Sequence, residues 1–96
     1  MKTRYIVTYD ISSDERRTTL FKLLRGYGQH LQFSVFQCDL TDRARATLVA
    51  RMHGVIDLDE DQVLVINLGP VDGRASSCID SIGRRYVPPE RTVVVI

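Results

Sequence analysis

Two stretches of this chain repeat apolar residues at helical spacing, and each lies between runs of β-branched and aromatic residues. Leu20, Leu23, Leu24 and Tyr27 follow the i, i+3, i+4, i+7 rule, and Ala44, Leu48, Val49 and Met52 form a second stripe. Ser12-Ser13-Asp14-Glu15 reads as the first helix start, with Ser12 as N-cap and Glu15 completing a capping box. Gly26 and Gly28 supply the stop. Thr41-Asp42 opens the second helix, Asp42 being favourable in its first turn, and Gly54 ends it.

Residues 3–9 are strand-like, and alternation puts Tyr5, Val7 and Tyr9 on one face and Ile6, Thr8 and Asp10 on the other. Residues 31–40 form one bulged strand or two short ones. The acidic run 57–61 is a loop, and the apolar run 62–68 reads as a strand covered on both faces. Residues 69–73 are turn-rich, residues 76–83 fit a strand or a short helix, Pro88-Pro89 breaks the chain, and residues 91–96 form a last strand. The order β-α-β(β)-α-β with appended strand material is an α+β, ferredoxin-like sandwich: an antiparallel sheet with helices on one face. Left alone, the last strand would expose an apolar edge. A homodimer in which strand 91–96 pairs with the partner subunit would cover it. Pairing within the same chain would do so equally.

With 96 residues the chain is a single domain spanning 1–96. A chain this short buries about 60–65% of its unfolded surface, so an active site is expected to be shallow or shared between subunits. No run approaches the ~18 apolar residues that span a membrane. Met1-Lys2-Thr3-Arg4 enters the first strand without a signal-peptide pattern, and a cytoplasmic location is the expectation. Cys38 and Cys78 have no Cys-x-x-Cys spacing and read as small buried hydrophobes. The net charge is only +1, yet Lys and Arg outnumber Asp and Glu in residues 1–51, and the reverse holds in 52–96. Lys2 and Lys22 are the only lysines, so the cationic groups are mainly guanidinium forks, which match phosphate oxygens in pairs.

No Gly-x-Ser-x-Gly, Walker or His-x-x-x-His spacing is present. The chemistry-bearing constellation is Asp10 at a strand end, followed by a capped helix carrying Arg16 and Arg17. Arginine in a first helical turn opposes the helix dipole. A phosphodiester is one use for that charge, and pairing with Asp14 or Glu15 is another. One carboxylate makes a poor magnesium site. In an isologous dimer Asp10 occurs twice, and two facing carboxylates can share a divalent cation that polarises a phosphoryl oxygen and activates water.

Tyr9-Asp10-Ile11-Ser12, Arg16-Arg17, Leu24, Tyr27-Gly28, Gln32 and Ser34-Val35-Phe36 resemble, in order and spacing, the N-terminal signature of the CRISPR-associated protein 2 family. This resemblance covers residues 5–40. It implies a ferredoxin-fold homodimer with Asp10 of both subunits as the catalytic metal ligand for magnesium or manganese. It implies an endonuclease acting on single-stranded RNA or double-stranded DNA. It also implies a bridge between CRISPR-associated integrase dimers during spacer acquisition, a role in which cleavage is dispensable. Tyr9, Arg16, Arg17, Ser34 and Phe36 correspond to positions near the metal or the substrate groove. His30 stands where many members carry Arg, and Gln37 where many carry Glu; a protonated His30 can still contact phosphate. For Phe36 the residues alone allow a core position or a base-stacking platform. Arg25, Arg43 and Arg45 join Arg16 and Arg17 as candidate phosphate contacts in a clamp on duplex DNA. A toxin-like ribonuclease on the same fold and a small-ligand regulatory dimer are the remaining alternatives.

Overall fold

The computed structural model describes residues 1–84. Pro88-Pro89, the expected strand 91–96 and its exchange between subunits lie outside the described residues. In chain order the elements are β1 (Thr3–Asp10), α1 (Asp14–Arg25), β2 (Gln29–Gln32), β3 (Val35–Leu40), α2 (Asp42–Val55), β4 (Gln62–Pro70) and a 3-10 turn (Arg74–Ser77). Strands β1 to β4 form one sheet in the order β2-β3-β1-β4, and every pairing is antiparallel. Two crossovers, β1-α1-β2 and β3-α2-β4, interlock so that β3 and β1 are central. The fold is the expected ferredoxin-like α+β sandwich.

The alternation in β1 decides which face the helices cover. Val7 pairs with Phe36 and Tyr5 with Cys38, so their side chains share one face, and all are buried. Leu20, Leu24 and Tyr27 from the first helical stripe, with Leu48 and Met52 from the second, close over that face. Burying such a side chain stabilises by about 1.5–3 kcal/mol each. After α1 the chain passes close against β3. A Cβ at Gly28 would lie 2.3 Å from the Gln37 carbonyl oxygen and 2.6 Å from Cys38 Sγ, so only glycine fits there.

Several local expectations shift. The N-cap of α1 is Ser13, whose hydroxyl accepts from the Arg16 N–H at 3.3 Å; Ser12 is one residue too early and is used elsewhere. Gly54 lies inside the last turn of α2, which runs to Val55. Segment 31–40 resolves into two strands joined by a tight turn at Phe33-Ser34. Region 76–83 is the end of the 3-10 turn followed by irregular chain.

The largest correction concerns β4. Its register with β1 puts Leu64 and Ile66 on the face with Ile6, Thr8 and Asp10, opposite the helices. Both are nearly half exposed, at 48% and 45%, so among the described residues β4 is covered on one face only. Antiparallel sheets tolerate this. Arg4 shares the open face, bonds both carboxylate oxygens of Asp39, and reaches the Ala75 carbonyl, tying the 3-10 turn to the end of the sheet remote from Asp10.

Candidate nucleic-acid interface and acid site

Strand β1 delivers Asp10 to the rim of the open face. The residue is exposed and pairs in register with Gln62, the first residue of β4. Among the described residues, no three His, Cys, Asp or Glu side chains converge as a metal cluster. Within one chain Asp10 is therefore a single carboxylate at a strand end. That donor fits half of a magnesium site, since magnesium takes one or two carboxylates and fills its octahedron with water and phosphate oxygens.

Arg16 and Arg17 stand beside this end, and each is already engaged. Arg16 donates from Nε to Asp61 Oδ2 at 2.7 Å and from Nη2 to Asp61 Oδ1 at 3.2 Å. Asp61 also accepts from the Ser12 N–H at 3.0 Å, the Ser12 hydroxyl at 3.2 Å and the Asp57 N–H at 2.8 Å. The hydrogen bond from Arg16 is the main reason why the Asp61 carboxyl is held well below the usual carboxylate range, and the same bond raises Arg16. This pairing explains an arginine in a first helical turn: its partner is neither Asp14 nor Glu15 but an acid 45 residues on. Asp14 pairs with Arg17 through Nη1. Arg17 Nη2 donates to the Ile11 carbonyl at 2.8 Å, and its side chain remains 44% exposed.

Tyr9 and Phe36 face inward. Tyr9 is buried, and burial raises its hydroxyl against the opposing pull of the Arg17 charge. Phe36 is fully buried, in a ring cluster with Tyr9, Phe21 and His30 at centroid distances of 6.4, 5.4 and 5.0 Å. Of its two readings, the core is the one realised; no face of Phe36 is open to a base, because α1 and His30 close over it. Ser34 lies in the turn, where its carbonyl accepts from the Tyr9 N–H at 3.2 Å.

His30 is exposed at the edge, its ring against Phe21 and its Nε2 2.7 Å from the Phe33 carbonyl oxygen. Arg25 lies over Phe21 at 5.8 Å on the same flank. Arg43 and Arg45 do not join this group. They open α2, immediately after Leu40, which pairs with Thr3 at the other end of β1. The eight residues of β1 separate the two ends by about 23 Å, and Arg45 instead covers the Tyr5 ring at 5.5 Å.

Sequence reasoning missed two residues. Asp61 reads as one more acid in a loop, and no local spacing links it to Arg16. Phe33, 93% exposed at the turn with φ of 24°, is passed over for Phe36; its signal is an aromatic at the break between two strand halves.

The family model described as CRISPR associated protein Cas2 matches residues 1–72. A CRISPR-associated endoribonuclease Cas2 of Geobacter sulfurreducens is 39% identical, covering all of both chains. One of Rhodospirillum rubrum is 36% identical over 96% of this chain and 89% of its own length. Among solved structures, a hypothetical protein of Thermus thermophilus superposes with a TM-score of 0.77 at 35% identity, covering 93% of this chain and all of that one.

Proposed function

The chain belongs to the CRISPR-associated Cas2 family, and from that membership we propose that it is a nuclease whose active unit is a homodimer cleaving phosphodiesters of single-stranded RNA or duplex DNA. The observation that carries this reading is the position of Asp10: an exposed carboxylate on the rim of a bare sheet face that also carries exposed Leu64 and Ile66. Apolar residues on an open face favour a second copy, and a two-fold axis there would duplicate Asp10. In addition, β4 is an edge strand of the sheet among the described residues, and an unpaired edge favours pairing with a second copy.

The two Asp10 carboxylates would hold magnesium or manganese, which when bound supplies a Lewis acid and an activated water. Arg17, half exposed and split between Asp14 and Ile11, is poised to trade its carboxylate for a phosphate. Arg16 is pre-positioned by Asp61 and adds positive potential without swinging free. Tyr9 stays protonated at neutral pH and can act only as a hydroxyl donor or acceptor.

The test is Asp10→Asn on the full chain. Cleavage of a labelled RNA or DNA should fall by at least about a hundredfold, the scale of losing a participating group, while sedimentation still reports a dimer. Undiminished cleavage in a clean preparation overturns the reading.

The separation of Arg43 and Arg45 from Asp10 favours a second role, a clamp on duplex DNA that docks integrase dimers. Spacer acquisition should survive Asp10→Asn under that role and stop under a purely catalytic one.

A further inference from the structure

We infer that Phe33 is a stacking platform for an unpaired base next to the phosphodiester at Asp10, so that the strand cleaved or held there is single-stranded at that point. This rests on the nuclease reading and narrows its substrate. Three observations carry it. First, Phe33 is 93% exposed, whereas Phe36 is fully buried; among the described residues its ring is left open to solvent. Second, its φ of 24° is a conformation that glycine or asparagine accepts far more readily than phenylalanine, so turn geometry does not account for the side chain. Third, the register leads to Asp10. Thr8 pairs with Val35 and the Tyr9 N–H reaches the Ser34 carbonyl, so the Phe33-Ser34 turn protrudes at the same end of the sheet as Asp10, with Phe33 on the β2 side of it because Gln32 pairs back onto Val35.

The turn is also braced. His30 Nε2 is 2.7 Å from the Phe33 carbonyl oxygen, and the His30 ring is wedged against Phe21 and Phe36. With Arg25 over Phe21, the flank pairs an aromatic tip with cationic support for a backbone. Stacking of this kind accepts any base, because every base has a π-face, but it needs that base out of a duplex.

The chain contains no tryptophan, so Phe33→Trp installs a single indole reporter. The probe is a ten-nucleotide uridine RNA in EDTA, compared with a blunt RNA duplex and with the same strand carrying abasic sites. The single strand should quench the indole emission of the Phe33→Trp protein, and the duplex and abasic strands should not. Phe33→Ala should weaken single-strand binding roughly tenfold, the scale of one lost stack, and Phe33→Tyr should retain it. Equal affinity in Phe33→Ala, equal quenching by the duplex, or an emission change on self-association without RNA would each overturn the inference, the last by assigning the ring to a second copy. Cleavage that survives Asp10→Asn while Phe33→Ala still loses single-strand binding would overturn the nuclease reading alone.

Discussion

Asp61 and Arg16 are 45 residues apart in sequence and joined by two bonds, at 2.7 and 3.2 Å, which fasten the loop before β4 to the first turn of α1. The same carboxylate takes the Ser12 N–H and hydroxyl and the Asp57 N–H. The two chain segments that flank Asp10 are thus held by one acid.

The pH dependence of stability follows from this. The folded Asp61 carboxyl is depressed below its ordinary value, so its contribution is complete above about pH 4, where the unfolded carboxyl is ionised, and is lost as pH falls towards the lower folded value. Asp61→Asn should lower Tm by several degrees at pH 7, and the gap to the wild type should narrow as the pH is taken below about 4. A gap that stays constant from neutral to strongly acidic pH contradicts the clasp. Cleavage at neutral pH should also drop, since Arg16 loses its anchor.

If the proposed homodimer packs through the open face, Leu64→Asp should yield a monomer in sedimentation equilibrium with far-UV circular dichroism unchanged. Leu64 is already 48% exposed within the chain, so a charge there leaves the core intact and affects only what packs on the open face. A dimer that persists would shift the subunit contact to another surface.

Phe36→Ala should cost about 3–5 kcal/mol, the range for truncating a buried aromatic, and Gly28→Ala about 1–3 kcal/mol through overpacking against Gln37 and Cys38. Urea titrations measure both. A near-neutral Phe36→Ala would mean that the ring cluster with Phe21 and His30 is not part of the core.

The two thiols should separate cleanly. Burial, with the nearby Asp39 charge adding to it, pushes the Cys38 thiol up to about 12, whereas Cys78, expected to be buried like Cys38, is exposed because it caps the 3-10 turn outside the sheet. One equivalent of thiol should react with an aromatic disulfide reagent under native conditions and a second only on unfolding, because the thiolate is the nucleophile.

If the duplex clamp operates, Arg43→Ala with Arg45→Ala should weaken duplex binding and flatten its salt dependence by about two units of slope. Cleavage of a short single strand should be unchanged, since both arginines lie at the far end of β1 from Asp10. An unchanged slope would remove them from the duplex surface.

Periodicity made the scaffold legible. Tyr5, Val7 and Tyr9 alternate inward as read, and Leu20, Leu24, Leu48 and Met52 are buried where the helical stripes put them, because side-chain direction within one strand or helix is a local property of the backbone. The order of elements and the position of Asp10 at a strand end followed from the same rule. What alternation cannot carry is the identity of a partner from a distant segment. Arg16 chose Asp61 over its neighbours only once β4 lay beside β1. Phe36 went inward and Phe33 outward only once the turn fell between them, and Arg43 and Arg45 were taken from Asp10 by the length of a strand. Those choices depend on register and packing between segments far apart in the chain, which only the folded sheet decides.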